Sequence, residues 1–283
     1  MNTLPTLYIP HGGGPCFFME PVQCAHGWPC QPGHCLHRPY AEPWTALAAF
    51  LRGLAATLPQ TPRAILVISG HWEADPVTVN SQPHPPLLFD YYGFPRHTYQ
   101  LEYPAPGDPQ LAQEIRETLK DAGIDTAEDT HRGLDHGVFV PFLLAWPEAR
   151  MPVVQLSLKA GLSAAEHLRL GAALTPLRDR GVLIVGSGMS FHNLRVRSPA
   201  NTPIAESAAF DTALNRIVCA RDPAERNAGL ARWDSLPAAR FAHPREEHLL
   251  PLMVAAGAAG PDPGTRIFNG VMMGWTISGF RFG

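Results

Sequence analysis

The sequence lacks the features of a chain that binds nucleic acid or spans a membrane. Its 283 residues carry a formal net charge of -3, and lysine and arginine nowhere form a run. An extended basic surface for phosphate groups is therefore not expected. No window contains the roughly 18 apolar residues that a membrane span needs, and the first residues do not form a basic segment followed by a long apolar stretch. We expect a soluble, cytoplasmic protein with neither nucleic acid nor membrane as a partner.

Cysteine is also scarce, and its five residues are unevenly distributed. Four of them share one segment with three histidines: Cys16, Cys24, Cys30 and Cys35, with His26, His34 and His37. Their spacing is not the paired C-x2-C arrangement of structural zinc sites, and free thiols are the ordinary state in a reducing cytosol. We interpret residues 16–37 as a proline-rich surface loop, and a structural zinc site there is the alternative.

Short apolar runs and amphipathic patterns alternate along the chain. Buried strands are predicted at residues 6–9, 64–69, 153–158 and 182–185, and helices at residues 44–58, 109–122, 163–178, 205–219 and 246–256. This alternation is typical of an α/β fold with a central, mostly parallel or mixed sheet flanked by helices. No internal repeat or long linker divides the chain, so we expect one domain over residues 1–283.

Three histidines come at or just after the ends of predicted strands: His11, His71 and His192. In open α/β sheets, ligands bind outside the carboxyl ends of the strands, where side chains from distant segments converge. Glycines next to each histidine allow the backbone to turn sharply and approach a ligand. Because neutral imidazole is a common ligand of zinc, iron and copper, the joint pattern predicts a metal site at these strand ends.

Two further histidines, His136 and His248, lie at apparent helix starts. The apolar residues after His248 follow helical spacing, which would hold the first turn of that helix at the edge of the cleft. Glu246 and Glu247 have a simpler explanation, since carboxylates in a first turn interact favourably with the helix dipole. The other histidines lack a strand-end context and are interpreted as surface or loop residues: His84, His97, His131, His167 and His243, besides the three in residues 16–37. His243 precedes His248 by only five residues, so a position on the rim of the site is the alternative for it.

With these residues assembled, the sequence resembles the class III extradiol ring-cleavage dioxygenases, in the bacterial and plant branch similar to 4,5-DOPA extradiol dioxygenase. The matching segments cover nearly the whole chain: PHGGGP (10–15), ISGHW (68–72), FDYYGFP (89–95), YPAPG (103–107), LDHG (134–137), VVQLS (153–157), GSG (186–188), HNLR (192–195) and EHLLPL (247–252). The segment of residues 16–37 departs from the family pattern.

The resemblance implies one catalytic domain with a mononuclear divalent metal bound by His11, His71 and His248. Fe(II) is expected for turnover, and Zn(II) is the alternative occupant. His192 and His136 are expected to reach the substrate, with His192 also near the metal. Glu247 is the alternative to His248, because another branch of the superfamily uses a glutamate as its third ligand.

The implied activity is extradiol cleavage. O2 would be inserted next to the diol of a small catecholic substrate, giving a muconic semialdehyde-type product. His192 is expected to act as the base, since imidazole titrates near neutral pH. Two other classes stay open: a zinc-dependent hydrolase on the same scaffold, which would act without O2, and a non-catalytic binding protein, which would lack bound metal. A homodimer is the default expectation for assembly.

Overall fold

The structure is a computed structural model that describes residues 3–19, 42–198 and 200–283. Ten strands lie in these ranges: β1 (Thr6–Pro10), β2 (Ala64–Ala74), β3 (Val77–Asn80), β4 (Leu87–Leu88), β5 (Thr126–Asp129), β6 (Leu134–Asp135), β7 (Val153–Lys159), β8 (Val182–Gly188), β9 (Gly264–Met272) and β10 (Trp275–Phe282). Eight of them form one sheet in the order β5-β3-β7-β2-β8-β1-β10-β9, and β4 pairs with β6 in a separate ribbon.

The centre of the sheet consists of four parallel strands. β7, β2, β8 and β1 run in the same direction, whereas β10 pairs antiparallel with β1 and with β9, and β3 pairs antiparallel with β7. The central strands are buried along nearly all of their length, which explains why they read as continuous apolar runs. The predicted α/β fold with a mixed, mostly parallel sheet is confirmed.

Helices flank this sheet. In the described part of the chain they are α1 (Thr45–Leu54), α2 (Pro109–Asp121), α3 (His136–Ala145), α4 (Ala164–Leu174), α5 (Pro176–Asp179), α6 (Ala205–Val218), α7 (Pro223–Ala231), α8 (Ala239–Ala242) and α9 (Leu250–Ala258). Asp108 caps α2 and Ser163 caps α4, each by accepting a hydrogen bond from a first-turn amide. Among the described residues, no helix combines the length and apolar character that crossing a membrane requires.

The predicted elements differ from the observed ones where local signals were weak. The helix predicted over residues 163–178 divides into α4 and α5 at Thr175, because Pro176 starts a new helix there. The helix predicted from residue 246 begins only at Leu250. Helix α3 was predicted only by its start at His136, since the rest of it is apolar around its whole circumference and contains Pro141.

Helix α9 lies directly against the backbone of β8. A Cβ atom at Gly186 would come within 3.0 Å of the Pro251 carbonyl oxygen, and one at Gly188 equally close to that of His248. The phenol of Tyr8 and the amide of Met189 both donate to this His248 carbonyl, at 2.8 and 3.1 Å. The segment that carries His248 is therefore held in contact with the central strands.

We expect Gly188→Ala to lower the free energy of unfolding by about 1–3 kcal/mol, because its Cβ would overlap the His248 carbonyl. Chemical denaturation measures this change. Gly53→Ala is the matched control, since Gly53 lies in α1 with no atom within 4 Å of an added Cβ. That variant should be stabilised by about 0.5–1 kcal/mol. Equal stability of Gly188→Ala and the wild type would contradict the close contact.

Candidate metal centre

The histidines selected from the sequence meet at the carboxyl ends of three adjacent strands, β2, β8 and β1. His11 follows β1, His71 lies within β2 near its carboxyl end, and His192 follows β8. His136 begins α3, and His248 stands two residues before α9. Ring centroids of His11 lie 4.9 Å from His71, 5.2 Å from His248 and 5.5 Å from His136. One cluster thus collects all five side chains.

Three members of the cluster have the arrangement of metal ligands. His11, His71 and His248 each offer a ring nitrogen, and these atoms all lie within 4.8 Å of one another. The Nε2 atoms of His71 and His248 are 3.1 Å apart, which is close to the separation of two nitrogens that bind one ion at about 2.0–2.1 Å.

His11 supplies a further observation in favour of a metal. Its side chain is 2% exposed, and no group among the described residues meets hydrogen-bond geometry with either ring nitrogen. The nearby Gly12 backbone acts only to raise the pKa of His11, against the larger effect of burial. Buried polar atoms nearly always have a partner, so an unpaired imidazole in this place needs an explanation. A cation shared with His71 and His248 provides one, and the donor set fits it.

Electrostatics keeps these three imidazoles neutral. Burial, together with the neighbouring histidines, lowers the pKa of His11 and of His248 well below the ordinary value. Burial and the nearby His136 lower the pKa of His71 to about 4, although Asp135 and Asp90 oppose the change. Neutral imidazole is the form that binds metals, so these groups need lose no proton at neutral pH to act as ligands.

Asp90 joins two histidines of the cluster. The ribbon of β4 and β6 pairs Leu88 with Asp135, which brings Asp90 beside His136. Asp90 Oδ1 lies 2.6 Å from His136 Nδ1 and accepts the His136 amide at 3.0 Å, while Oδ2 lies 3.5 Å from His71 Nδ1. Burial alone would raise the pKa of Asp90, but the hydrogen bonds and charge of His136, with the charge of His71, outweigh it and lower the pKa.

Glu247 has the same relation to the other two histidines. Its Oε1 lies 2.9 Å from His248 Nδ1 and 3.2 Å from His192 Nδ1. The rings of His192 and His248 stack at 3.4 Å between centroids. Arg245 lies 3.4 Å from the second carboxylate oxygen and forms a bidentate pair with Glu73 at 2.6 Å for both contacts. Burial would raise the pKa of Glu247, but His192 and Arg245 contribute to a net decrease.

A third carboxylate, Asp135, ties the end of β2 to the start of α3. It is fully buried, and it accepts hydrogen bonds from Ser69 at 2.7 Å, from Arg132 at 3.2 Å and from the Gln155 amide. Arg132 also donates to the His71 carbonyl at 3.3 Å. This network fixes the backbone at both His71 and the residue that precedes His136.

Neither Asp90 nor Asp135 was predicted as a site residue from the sequence. Asp90 is 46 positions from His136, and only two-residue strands connect them. Strands this short leave no periodic pattern to read. Asp135 did carry a sequence signal, because it immediately precedes His136 in the LDHG segment. Its burial then requires the charged and polar partners that the structure shows.

Two histidines interpreted as surface or loop residues are buried, so that interpretation is wrong for them. His167 links α4 to β7, with Nδ1 2.7 Å from the Ser163 carbonyl and Nε2 accepting the Lys159 amide at 3.1 Å. His243 is fully buried between Phe210 and Trp233 and bonds the Ser190 carbonyl at 3.0 Å. It lies in the core rather than on the rim of the site.

Three of the remaining histidines lie in the described part of the chain, whereas most of the cysteine-rich segment lies outside it. His84, His97 and His131 are exposed, as expected. Cys16 is buried and free, and its sulfur accepts the Gly13 amide at 3.3 Å. The zinc alternative for residues 16–37 falls largely outside the described residues, with Cys24, Cys30, Cys35, His26, His34 and His37.

Two cavities, of about 280 and 480 Å³, are lined by none of the five clustered histidines.

Comparison with known proteins finds relatives over most of the chain. Residues 39–279 match the family described as the catalytic LigB subunit of aromatic ring-opening dioxygenase. A dioxygenase from Hapsidospora irregularis is 36% identical over 100% of this chain and 86% of its own length. A 4,5-DOPA dioxygenase extradiol from Beta vulgaris is 41% identical over 77% of this chain and 81% of its own. The crystal structure of an uncharacterized protein from Escherichia coli K12 aligns with a TM-score of 0.75 at 28% identity, covering 99% of this chain and 100% of that one.

The burial of His243 predicts a specific pH dependence of stability. Burial lowers the pKa of His243 to about 3, whereas an unfolded histidine titrates near 6.5. Above about pH 6.5 the folded and unfolded chains bind the same number of protons at this site. Below that value only the unfolded chain takes up the proton, so the free energy of unfolding falls by up to about 1.4 kcal/mol per pH unit.

We therefore expect His243→Gln to lose about 2 kcal/mol less stability than the wild type between pH 6.5 and pH 5. Glutamine can still donate to the Ser190 carbonyl. Urea denaturation across this pH range measures the two slopes. The exposed His84 provides the control, since His84→Gln should follow the wild-type slope. Parallel slopes for His243→Gln and the wild type would show that His243 is not buried in its neutral form.

Proposed function

This chain belongs to the LigB family of extradiol aromatic ring-opening dioxygenases, and on that basis we propose that it cleaves a small catecholic substrate with O2. The oxygen would be inserted next to the diol, and the ring would open to a muconic semialdehyde-type product. The observation that carries this proposal is the cluster of five histidines, in which the ring nitrogens of His11, His71 and His248 converge.

His11, His71 and His248 would hold one divalent metal ion, Fe(II) during turnover, with Zn(II) as the alternative occupant. Fe(II) held there would supply Lewis-acid and redox chemistry toward the catechol oxygens and O2, whereas Zn(II) would supply Lewis-acid chemistry alone. The unpaired ring of His11 and the facing Nε2 atoms of His71 and His248 support these three ligands. Glu247 contacts the Nδ1 side of His248, which favours His248 over Glu247 as the third ligand.

His192 would accept the proton of a catechol hydroxyl and return it after ring opening. Glu247 occupies its Nδ1, which leaves Nε2 for this proton, and the side chain is 21% exposed and so open to the cleft. Its place in a group with Glu247 and His248 also supports a position near the metal. His136 has its Nδ1 occupied by Asp90, so its Nε2 would donate a hydrogen bond to the substrate or to O2.

The wider assignments follow from the same proposal. We propose that residues 1–283 act as one catalytic domain, since all five histidines gather at the carboxyl ends of the central strands of one sheet. A cytoplasmic location and a homodimer stay predictions. The relatives named 4,5-DOPA dioxygenase extradiol make DOPA the first catechol to test.

The direct experiment is O2 uptake by anaerobically purified protein loaded with Fe(II) and given a panel of catechols that includes DOPA. We expect uptake of O2 that requires iron and a yellow, ring-opened product. Loading with Zn(II) is the control, because zinc has no redox chemistry. Anaerobic hydrolysis by the zinc form, with no O2 uptake from any catechol, would instead support the zinc-dependent hydrolase.

We expect His192→Ala to lower kcat about 10²- to 10⁴-fold, the usual contribution of a proton-transferring side chain, while most of the metal stays bound. Steady-state O2 uptake and metal analysis measure the two quantities. His97→Ala is a control, because His97 is an exposed histidine outside the cluster. Wild-type turnover in His192→Ala would remove the assignment of His192 as the base.

A further inference from the structure

Four of the five clustered histidines direct Nδ1 at a carboxylate, and each carboxylate serves two of them. We propose that Asp90 and Glu247 are positioning residues that each lock one metal-binding histidine and one substrate-side histidine into a shared orientation. Asp90 couples His71 to His136, and Glu247 couples His248 to His192. This inference rests on the proposed function for the roles of the four histidines, and it adds the device that aligns them.

Asp90 is held in place by contacts at the start of α3. Its Oδ1 receives both the ring Nδ1 and the backbone amide of His136, at 2.6 and 3.0 Å, so the carboxylate is anchored at the start of α3. Oδ2 then faces His71 Nδ1 at 3.5 Å. A carboxylate on Nδ1 selects the tautomer that carries its proton there, which leaves Nε2 of each ring as the free donor atom.

Glu247 does the same with one oxygen. Oε1 lies 2.9 Å from His248 Nδ1 and 3.2 Å from His192 Nδ1, which holds the two stacked rings side by side. Oε2 faces Arg245, and Arg245 is itself held by both oxygens of Glu73 on β2. Glu247 is therefore braced from the strand that carries His71.

A second explanation of these contacts is that each carboxylate belongs to its own cation site. His71, Asp90 and His136 form one compact group of candidate ligands, and His192, Glu247 and His248 form another. A cation in either group would take the place of a proton between carboxylate and Nδ1, at contacts of 2.6 to 3.5 Å. The short contact between Asp90 and His136 favours a hydrogen bond, and metal stoichiometry separates the two explanations.

Sharing a carboxylate has a measurable consequence, because loss of one carboxylate affects two processes at once. Removing a group that orients a metal-bound histidine typically lowers metal affinity or activity about 10- to 100-fold. Asp90→Asn should weaken metal binding through His71 and lower kcat through His136. Glu247→Gln should do the same through His248 and His192. Replacing a residue that has only a structural role would selectively change neither the metal affinity nor kcat.

The test measures Co(II) and Zn(II) affinity by chelator competition under anaerobic conditions, which needs no catalytic turnover. We expect Asp90→Asn and Glu247→Gln to bind either metal about 10- to 100-fold more weakly than the wild type. His136→Ala keeps the amide hydrogen bond to Asp90 and should weaken metal binding less than Asp90→Asn, and the double variant should be as weak as Asp90→Asn alone. That comparison isolates the effect transmitted through His71.

Asp108→Ala controls for a general loss of stability, since Asp108 caps α2 and lies 4.0 Å from Arg63 just before β2, at the opposite end of that strand from His71. It should lower Tm by about 2–4 °C without changing metal affinity. Asp90→Asn and Glu247→Gln proteins that fold and bind metal like the wild type would overturn the inference. Two ions per chain, with one lost in Asp90→Asn, would overturn it in favour of a cation site at Asp90.

The same experiments distinguish failure of the dioxygenase proposal from failure of the positioning roles. Weakened metal binding in both carboxylate variants, with no O2 uptake by the Fe(II)-loaded wild type, would keep the positioning roles toward the metal and reject the dioxygenase proposal. If the Fe(II)-loaded wild type takes up O2 and both carboxylate variants bind metal like the wild type, the dioxygenase proposal is kept and the positioning roles are rejected. A wild-type chain that binds no divalent metal would overturn both.

Discussion

The site depends on one close approach, between the Nε2 atoms of His71 and His248 at 3.1 Å. The two residues are 177 positions apart, so only the tertiary fold brings them together. Helix α9 must lie on the backbone of β8 for this to happen, and the glycines of β8 leave the space for it. At the opposite end of α9, the buried side chains of Arg178 and Arg226 donate to the carbonyls of Ala256, Ala258, Ala259 and Gly260. Cations at a helix carboxyl end interact favourably with its dipole, so α9 is held at both ends.

Charge is arranged in layers around this contact. The innermost imidazoles are neutral because burial disfavours their protonated forms, as the lowered pKa values of His11 and His248 show. The carboxylates of Asp90 and Glu247 lie outside them and contact Nδ1 atoms. A divalent ion at the centre would be the largest local charge, and two nearby carboxylates would offset it. The same groups that orient the rings therefore also balance the charge that the proposed chemistry requires.

The sequence allowed prediction of the parts of the site that follow strong local patterns. Residues 6–9, 64–69, 153–158 and 182–185 are apolar runs, and the strands found there carry His11, His71 and His192 to one edge of the sheet. The partners of these histidines were not predictable in the same way. Asp90 reaches His136 through a two-residue ribbon, and the burial of His167 and His243 depends on helix packing that no single segment reveals. Local patterns indicated where the donors are, whereas long-range contacts determine which groups orient them.

Crystals soaked anaerobically with Fe(II) or Zn(II), with anomalous scattering recorded at the metal edge, test the central claim most directly. A single peak per chain, bonded to His11 and to the Nε2 atoms of His71 and His248 at about 2.0–2.1 Å, is the predicted result, with Asp90 and Glu247 still on the Nδ1 side of their histidines. A peak bonded to the Asp90 or Glu247 carboxylate, with His11 left unbound, would contradict the account.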